Sequence, residues 1–365
     1  MNKKRFLVLL VAAVAIVSLL VVGCAPAAAP PPEEGAPPTE EEEAPPAAPE
    51  EEVFNWRMAV LYPRGVAYIP LYEIYLDDLK KMSGGRLVVD LVCDGEGVTA
   101  TEVFDAAAAG LVEMGSPYPA LHAGVFPAGV IELGLPGCPP SNKDLKLLFY
   151  ETRFNDVIKE GYAAHNLYKL DAEMFLIGTY LCSKQPVKSL DDIKGMKIRC
   201  PGAYGELINN LGGSAVVMAF AEVYTALATG VIDGVDGCNI VDHRDGRFYE
   251  VAQYMYPLPL TTSQVAPLIV NMDAWNSLPE DLQAIIEISQ YKHAELWERK
   301  SNLWELEALT EMLDGGLQWS PEPSEAEKAE WLQAGQASWD KYAEKDEYCA
   351  ELIDIMTDFM KELGF

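Results

Sequence analysis

Residues 102–114 read Glu-Val-Phe-Asp-Ala-Ala-Ala-Ala-Gly-Leu-Val-Glu-Met, and residues 222–234 read Glu-Val-Tyr-Thr-Ala-Leu-Ala-Thr-Gly-Val-Ile-Asp-Gly. Five positions are identical, and the Phe/Tyr, Leu/Val, Val/Ile and Glu/Asp pairs are close matches. Each copy reads as a helix stopped by Gly110 or Gly230, because glycine tolerates the left-handed conformation that ends helices. A short apolar strand follows each glycine at once.

The flanks repeat as well. Before the first copy, 55–62 reads as a strand and 69–82 as a helix, with Leu71, Ile74, Tyr75, Leu79 and Met82 at helical spacing. Gly84-Gly85 ends that helix, and 86–92 is a strand. Before the second copy, 196–200 reads as a strand, 204–211 as a helix ended by Gly212-Gly213, and 215–218 as a strand. Alternating strands and helices predict parallel sheets covered on both faces. Two such units predict two α/β lobes: lobe I from 53–177, completed by about 265–280, and lobe II from 178–264. Ligands of open α/β sheets bind beyond the carboxyl ends of the strands, so a cleft between the lobes is expected.

Residues 281–312 form a long helical pattern opened by Pro279-Glu280. Such a helix can brace both lobes or mediate dimerisation, and bracing is the simpler reading. Pro321-Glu322-Pro323 separates it from helical patterns at 324–331 and 344–363, and Ser324 is placed to cap the first of these. The tail 281–365 is thus expected to be helical.

The N-terminal region has a different character. Lys3, Lys4 and Arg5 precede an apolar run of 17 residues, 6–22, which ends at Gly23-Cys24. A basic start, an apolar run and a small residue define a secretory signal, here 1–23. Val21-Val22-Gly23-Cys24 resembles a bacterial lipobox, which implies lipidation of Cys24 and attachment to a membrane surface. Residues 25–52 are nine Pro, nine Glu, eight Ala, one Gly and one Thr. That composition cannot bury a core and reads as an extended tether. The chain is therefore expected to be exported, at the outer face of the cytoplasmic membrane or in the periplasm.

The formal charge of −29 disfavours nucleic acid as a partner. An anion can still bind through a local cationic site. The six cysteines after Cys24 show no CxxC spacing, so no zinc site is suggested and their pairing is open. HExxH, GxSxG and P-loop motifs are absent from the sequence. Asp233, Asp236, Asp242 and Asp245 miss the EF-hand spacing and read as a solvated acidic loop. The chain is read as a non-enzyme with no cofactor; Cys182, Cys200 or Cys238 could act as a nucleophile only beside a histidine in space.

Three stretches carry a family resemblance. Ser189-Leu-Asp-Asp-Ile-Lys-Gly-Met-Lys-Ile-Arg199 leads into Cys200-Pro201-Gly202. Glu222 to Gly234 is the repeat copy quoted above. Arg247-Phe-Tyr-Glu-Val-Ala-Gln-Tyr-Met-Tyr256 is followed by Trp275-Asn-Ser-Leu-Pro-Glu-Asp-Leu282. In this order and spacing they resemble the solute-binding subunit of tripartite ATP-independent periplasmic (TRAP) transporters, over most of residues 53–300. The resemblance implies an α/β, two-lobed periplasmic-binding-protein-like fold with a long bridging helix, hinge closure, a small organic acid ligand, and small and large integral membrane subunits as partners. It also implies that Arg199 pairs with the ligand carboxylate, as a guanidinium can through two parallel hydrogen bonds. Asp236 matches the family's acidic cleft position. Gly237 stands where an Asn or Trp is usual, and Asn239 is close enough to replace that contact. The layout around 248–256 resembles the branch that binds 2-oxo acids. Strand ends add Tyr62, Glu96, Tyr118 and Asn271 as ligand candidates. Service to an ABC-type importer or a sensor is the alternative.

Overall fold

The computed structural model describes residues 52–139, 141–172, 174–175, 178–200, 202–218 and 220–364. The signal, the lipidation site Cys24 and the tether up to Glu51 lie outside these residues. Among the described residues, no helix is long and apolar enough to cross a membrane.

The repeat builds the same unit twice. In the first sheet, Phe54–Val60 lies between Leu87–Val92 and Met114–Ser116, all parallel. In the second, Lys197–Arg199 lies between Ser214–Val216 and Gly234–Val235, again all parallel. The helices Val103–Ala108 and Val223–Thr229 occupy matching places. Gly110 and Gly230 have φ of 70° and 77°, the left-handed backbone expected of them. Both helices are shorter than the quoted stretches, and the first strand starts at Met114 rather than Leu111, because the chain needs Leu111–Glu113 to turn.

The repeated acidic residue has a structural task. Glu113 Oε2 accepts the Arg57 amide at 2.7 Å, and Asp233 Oδ2 accepts the Lys197 amide at 2.9 Å. In each unit the residue before one flanking strand therefore takes a main-chain N–H from the central strand. A charge-assisted bond of this kind is stronger than a neutral one, and it sets the strand register.

Crossing segments complete both sheets. Ile269–Asn271 runs antiparallel between Met114–Ser116 and Leu167–Lys169, giving a five-stranded first sheet. The second sheet has six strands: Gln318–Trp319, Tyr254–Thr261, Thr179–Ser183, Gly234–Val235, Lys197–Arg199 and Ser214–Val216 in that order. The tail is thus not wholly helical, since Gln318–Trp319 joins this sheet parallel to Tyr254–Thr261.

The Glu280–Asp314 helix is 35 residues long, about 50 Å at 1.5 Å per residue. Its first half buries Leu282, Ile286 and Trp297 in the core of the first lobe. Its second half buries Ala308 and Met312 in the core of the second. It therefore braces both lobes. Ser324 caps Glu325–Gln336 through a capping box with Glu327, and Trp331 of that helix closes the second lobe's other core. The amphipathic Glu347–Glu362 helix lays Leu352, Ile353, Met356 and Met360 onto the first lobe.

Candidate functional site

Arg199 ends the central strand of the second lobe and is 8% exposed. Its Nε donates to the Met218 carbonyl at 3.3 Å, and one terminal nitrogen contacts Cys238 Sγ at 3.5 Å. Among the described residues no carboxylate lies within ion-pair distance of it. A guanidinium has five N–H donors in a rigid fork. Among the described residues most of this fork has no acceptor, although burying an unpaired charge is costly.

Asp236 follows the Gly234–Val235 strand and donates its amide to the Arg199 carbonyl at 2.7 Å. Gly237 has φ of 73°, which an L side chain rarely adopts. That turn lets the Gly237 amide donate to Asp236 Oδ1 at 2.5 Å. Asp236 is fully buried, and its Oδ2 has no hydrogen-bond partner among the described residues. Burial pushes its carboxyl up to about 7, against the opposing pull of the Gly237 amide and the Arg199 charge.

This buried carboxyl gives a stability prediction. Its folded-state value lies above the ordinary 3.8, so the folded chain holds the proton more tightly than the unfolded one. This carboxyl's contribution to the stability of the ligand-free protein is then fully present below the usual carboxylate range and is lost as pH rises to about 7. Every tenfold gain in proton affinity on folding corresponds to about 1.4 kcal/mol. Asp236→Asn should flatten the fall in melting temperature between about pH 5 and about pH 8, relative to the unaltered protein. Equal slopes for the two proteins would count against a buried, partnerless carboxyl here.

Asn239 caps the Ile240–Asp245 helix. Its Oδ1 accepts the Asp242 amide at 2.9 Å, and Asp242 Oδ2 accepts the Asn239 amide at 3.3 Å. Tyr68, which belongs to the first lobe, lies close enough to Asn239 and Asp242 for both to act on its hydroxyl, so the lobes approach each other across the cleft. Burial pushes the Asp242 carboxyl up to about 6. The acidic residues are therefore not the solvated loop expected: Asp236 is buried, Asp242 caps a helix, and Asp233 holds a strand amide.

The facing wall is aromatic. Tyr62 stacks on Tyr68 with centroids 5.0 Å apart, and Tyr68 stacks on Trp297 of the bracing helix at 5.0 Å. Burial raises the Tyr62 hydroxyl pKa well above its ordinary value, with Tyr68, Tyr72, Asp242 and Tyr118 adding to it. Tyr62, Tyr118 and Asp242 thus converge from two lobes. Gln264 donates to the Tyr118 hydroxyl at 3.1 Å and to the Tyr204 hydroxyl at 3.2 Å. Tyr68, Tyr204 and Gln264 were not singled out by sequence, and Asp242 was read only as part of an acidic loop. Tyr68 alone carried a usable signal, as the residue opening the helix after the first strand.

Two expected contacts are placed elsewhere. Glu96 accepts two hydrogen bonds from the exposed Arg64 and one from the Cys93 amide, which hold its carboxyl down to about 2. Its oxygens are engaged at the surface. Asn271 caps Met272–Ser277 through Oδ1 and donates Nδ2 to the Ala107 and Ala108 carbonyls, so its side chain is fully used within the first lobe.

The six cysteines after the tether are free and buried. Burial raises the thiol pKa of Cys182, Cys200 and Cys238, despite the lowering influence of Arg199 on the latter two. His243 Nε2 lies 2.8 Å from the Tyr180 carbonyl, to which it donates, and burial pushes its imidazole down to about 4. Raised thiol pKa values leave these cysteines protonated and weakly nucleophilic, since the thiolate is the nucleophile. Among the described residues, no three His, Cys, Asp or Glu converge to hold a metal ion.

A family model for bacterial extracellular solute-binding protein, family 7 (DctP) matches residues 69–346. A monocarboxylate 2-oxoacid-binding periplasmic protein of Nostoc sp. is 27% identical over 313 residues, 85% of each chain. A TRAP periplasmic solute-binding protein of Colwellia psychrerythraea, solved with bound calcium and pyruvate, has a TM-score of 0.76 at 21% identity, over 86% of this chain and 95% of that one. One of Pseudoalteromonas atlantica, with sodium and pyruvate, has a TM-score of 0.75 at 20% identity, over 86% and 95%. The fold is that of these two-lobed binding proteins, and the family model spans three quarters of the chain, from the helix after the first strand to the tail. The chain belongs to bacterial extracellular solute-binding protein family 7.

Proposed function

We propose that the protein captures a small monocarboxylate of the 2-oxo acid class between its lobes, through Arg199, and delivers it unchanged to TRAP membrane subunits. The observation that carries this reading is Arg199 itself: a nearly buried guanidinium with no carboxylate partner among the described residues. A solute carboxylate supplies the missing acceptors in the planar geometry the fork matches. Tyr62, Tyr118 and Asn239 line the same cleft, with Asp236 and Gly237 forming its floor. The stacked tyrosines offer apolar faces with hydroxyl tips, which suit a short chain bearing one charge and a carbonyl. The names of the Nostoc relative and of the two pyruvate-bound neighbours point the same way. The lobes would be 53–177 with about 265–280, and 178–264; the head would be held outside the cytoplasm by lipid on Cys24.

A second reading adds a hard cation that binds together with the solute. Asp236 Oδ2, buried and partnerless, favours it. One anionic oxygen suits such an ion, but calcium takes six to eight oxygens. The solute and main-chain carbonyls would have to complete the set.

Thermal shift with pyruvate, malonate and the methyl ester of pyruvate tests the first reading. A ligand that binds only the folded state raises the melting temperature. Pyruvate should raise it and the ester should not; no shift with any carboxylate would overturn it. Calcium and pyruvate shifting together far more than either alone would support the cation. Adjacent genes for two membrane subunits without an ATPase would favour TRAP over an ABC-type importer or a sensor.

A further inference from the structure

Gln264 lies in the crossing segment between the Tyr254–Thr261 and Ile269–Asn271 strands and is buried. Its amide nitrogen donates to the hydroxyl oxygens of two tyrosines, Tyr118 at 3.1 Å and Tyr204 at 3.2 Å. Tyr118 follows the Met114–Ser116 strand of the first lobe, and Tyr204 follows the Lys197–Arg199 strand of the second. An amide nitrogen has two protons and accepts nothing. Both are spent here, one on each phenol.

This fixes the direction of the bonds that follow. A phenol has one proton to give. Each phenol oxygen already accepts from Gln264, so neither tyrosine can direct its proton back to that nitrogen. Tyr204 is 1% exposed and lies close enough to Tyr118 to act on its hydroxyl. The Tyr204 proton can therefore rest on the Tyr118 oxygen, which then accepts twice and has only its own proton left to offer. Tyr118 is partly exposed, and its hydroxyl lies near Cys238, whose Sγ touches the Arg199 guanidinium. Among the described residues no carbonyl or carboxylate accepts the Tyr118 O–H.

We propose that Gln264 is a positioning residue that makes Tyr118 a hydrogen-bond donor towards the cleft, and that this donor selects solutes with an acceptor oxygen on the carbon beside the carboxylate. The inference rests on capture of a monocarboxylate by Arg199. The guanidinium takes the carboxylate, and the phenol proton is left for the 2-oxo oxygen. A methylene at that carbon leaves the donor unpaired in a site closed to water, which weakens binding. An ammonium there brings only further donors.

Isothermal titration with pyruvate, propionate and alanine reads the selection directly, because the three differ only in the group beside the carboxylate. Pyruvate should bind the unaltered protein at least about tenfold more tightly than propionate, and alanine no better than propionate. Tyr118→Phe removes one oxygen and should bring the preference for pyruvate over propionate down to within about threefold. Gln264→Glu is nearly isosteric, but its carboxylate accepts both phenol protons and turns them from the solute, so it should lose the preference as well. Its added charge repels pyruvate and propionate alike, so the ratio of the two affinities reports the direction of the hydrogen bonds. Melting curves check that each variant folds, and Tyr118→Phe decides the point should Gln264→Glu not fold. A preference kept in Tyr118→Phe overturns the proposal, as does alanine bound as tightly as pyruvate. Equal binding of pyruvate and propionate by the unaltered protein overturns it while leaving carboxylate capture by Arg199 in place. Binding of neither overturns both.

Discussion

Arg199→Ala should lower affinity for a carboxylate solute by between about 30-fold and several thousand-fold, with the fold intact. Removing one partner of a buried, hydrogen-bonded charge pair costs roughly 2–5 kcal/mol, and every 1.4 kcal/mol is about tenfold. The upper part of that range is expected, because the remaining partner would be a solute carboxylate closed between tyrosines. Folding should not suffer. The side chain makes one weak main-chain bond and one thiol contact, so the folded protein gains little from it and bears the burden of a desolvated charge. Arg199→Lys should recover only part of the affinity, since an ammonium is a point charge and cannot meet a carboxylate with two parallel bonds. Isothermal titration with pyruvate, beside melting curves for each variant, separates the two effects. Affinity unchanged in Arg199→Ala would mean that another group holds the anion.

The architecture was legible because it is written in local signals. A glycine ending each repeated helix, Gly-Gly ending the helix before it, and the proline at position 279 are choices a chain makes within a few residues. Accordingly the Ile69–Met82 helix was expected to the residue, and the first two strands of the second unit to within two. Even the repeated acid, read only as a match, proved to be a register device shared by Glu113 and Asp233. The cleft was legible in part. Arg199, Asp236 and Asn239 came with the family resemblance, and Tyr62 and Tyr118 came from strand ends. Gln264 and Tyr204 did not, because they meet Tyr118 from segments far apart in sequence. Glu96 shows the limit of the strand-end rule. It follows a strand, as the rule asks, but its carboxylate is held by Arg64, and nothing in the spacing of Arg64 to Glu96 announced the pair. The acidic loop failed for the same reason in reverse: four aspartates close in sequence have four separate partners or none, and only the third dimension distributes them.

Lys169→Met should destabilise the protein by about 3–5 kcal/mol, the largest loss expected from any single change outside the hydrophobic core. Lys169 and Glu132 have no exposed side-chain surface, and their charged atoms are 3.6 Å apart. Tyr162 donates to Glu132 Oε2 at 2.6 Å, and Lys169 donates to Asn155 Oδ1 at 2.9 Å. The network ties the Leu167–Lys169 strand to two helices beneath it, Ala128–Leu133 and Phe154–Ala163. Removing the ammonium takes from the fully buried Glu132 carboxylate a countercharge 3.6 Å away, and the loss of that charge is what destabilises. The pair itself adds little, because desolvating two ions offsets most of their attraction. The double variant Glu132→Met/Lys169→Met should therefore lie within about 1–2 kcal/mol of the unaltered protein, on either side, and well above Lys169→Met alone. Urea unfolding of the four proteins in the cycle decides the point. If the single losses simply add in the double variant, the two side chains act independently, and the network is a set of separate hydrogen bonds rather than a charge pair buried as a unit.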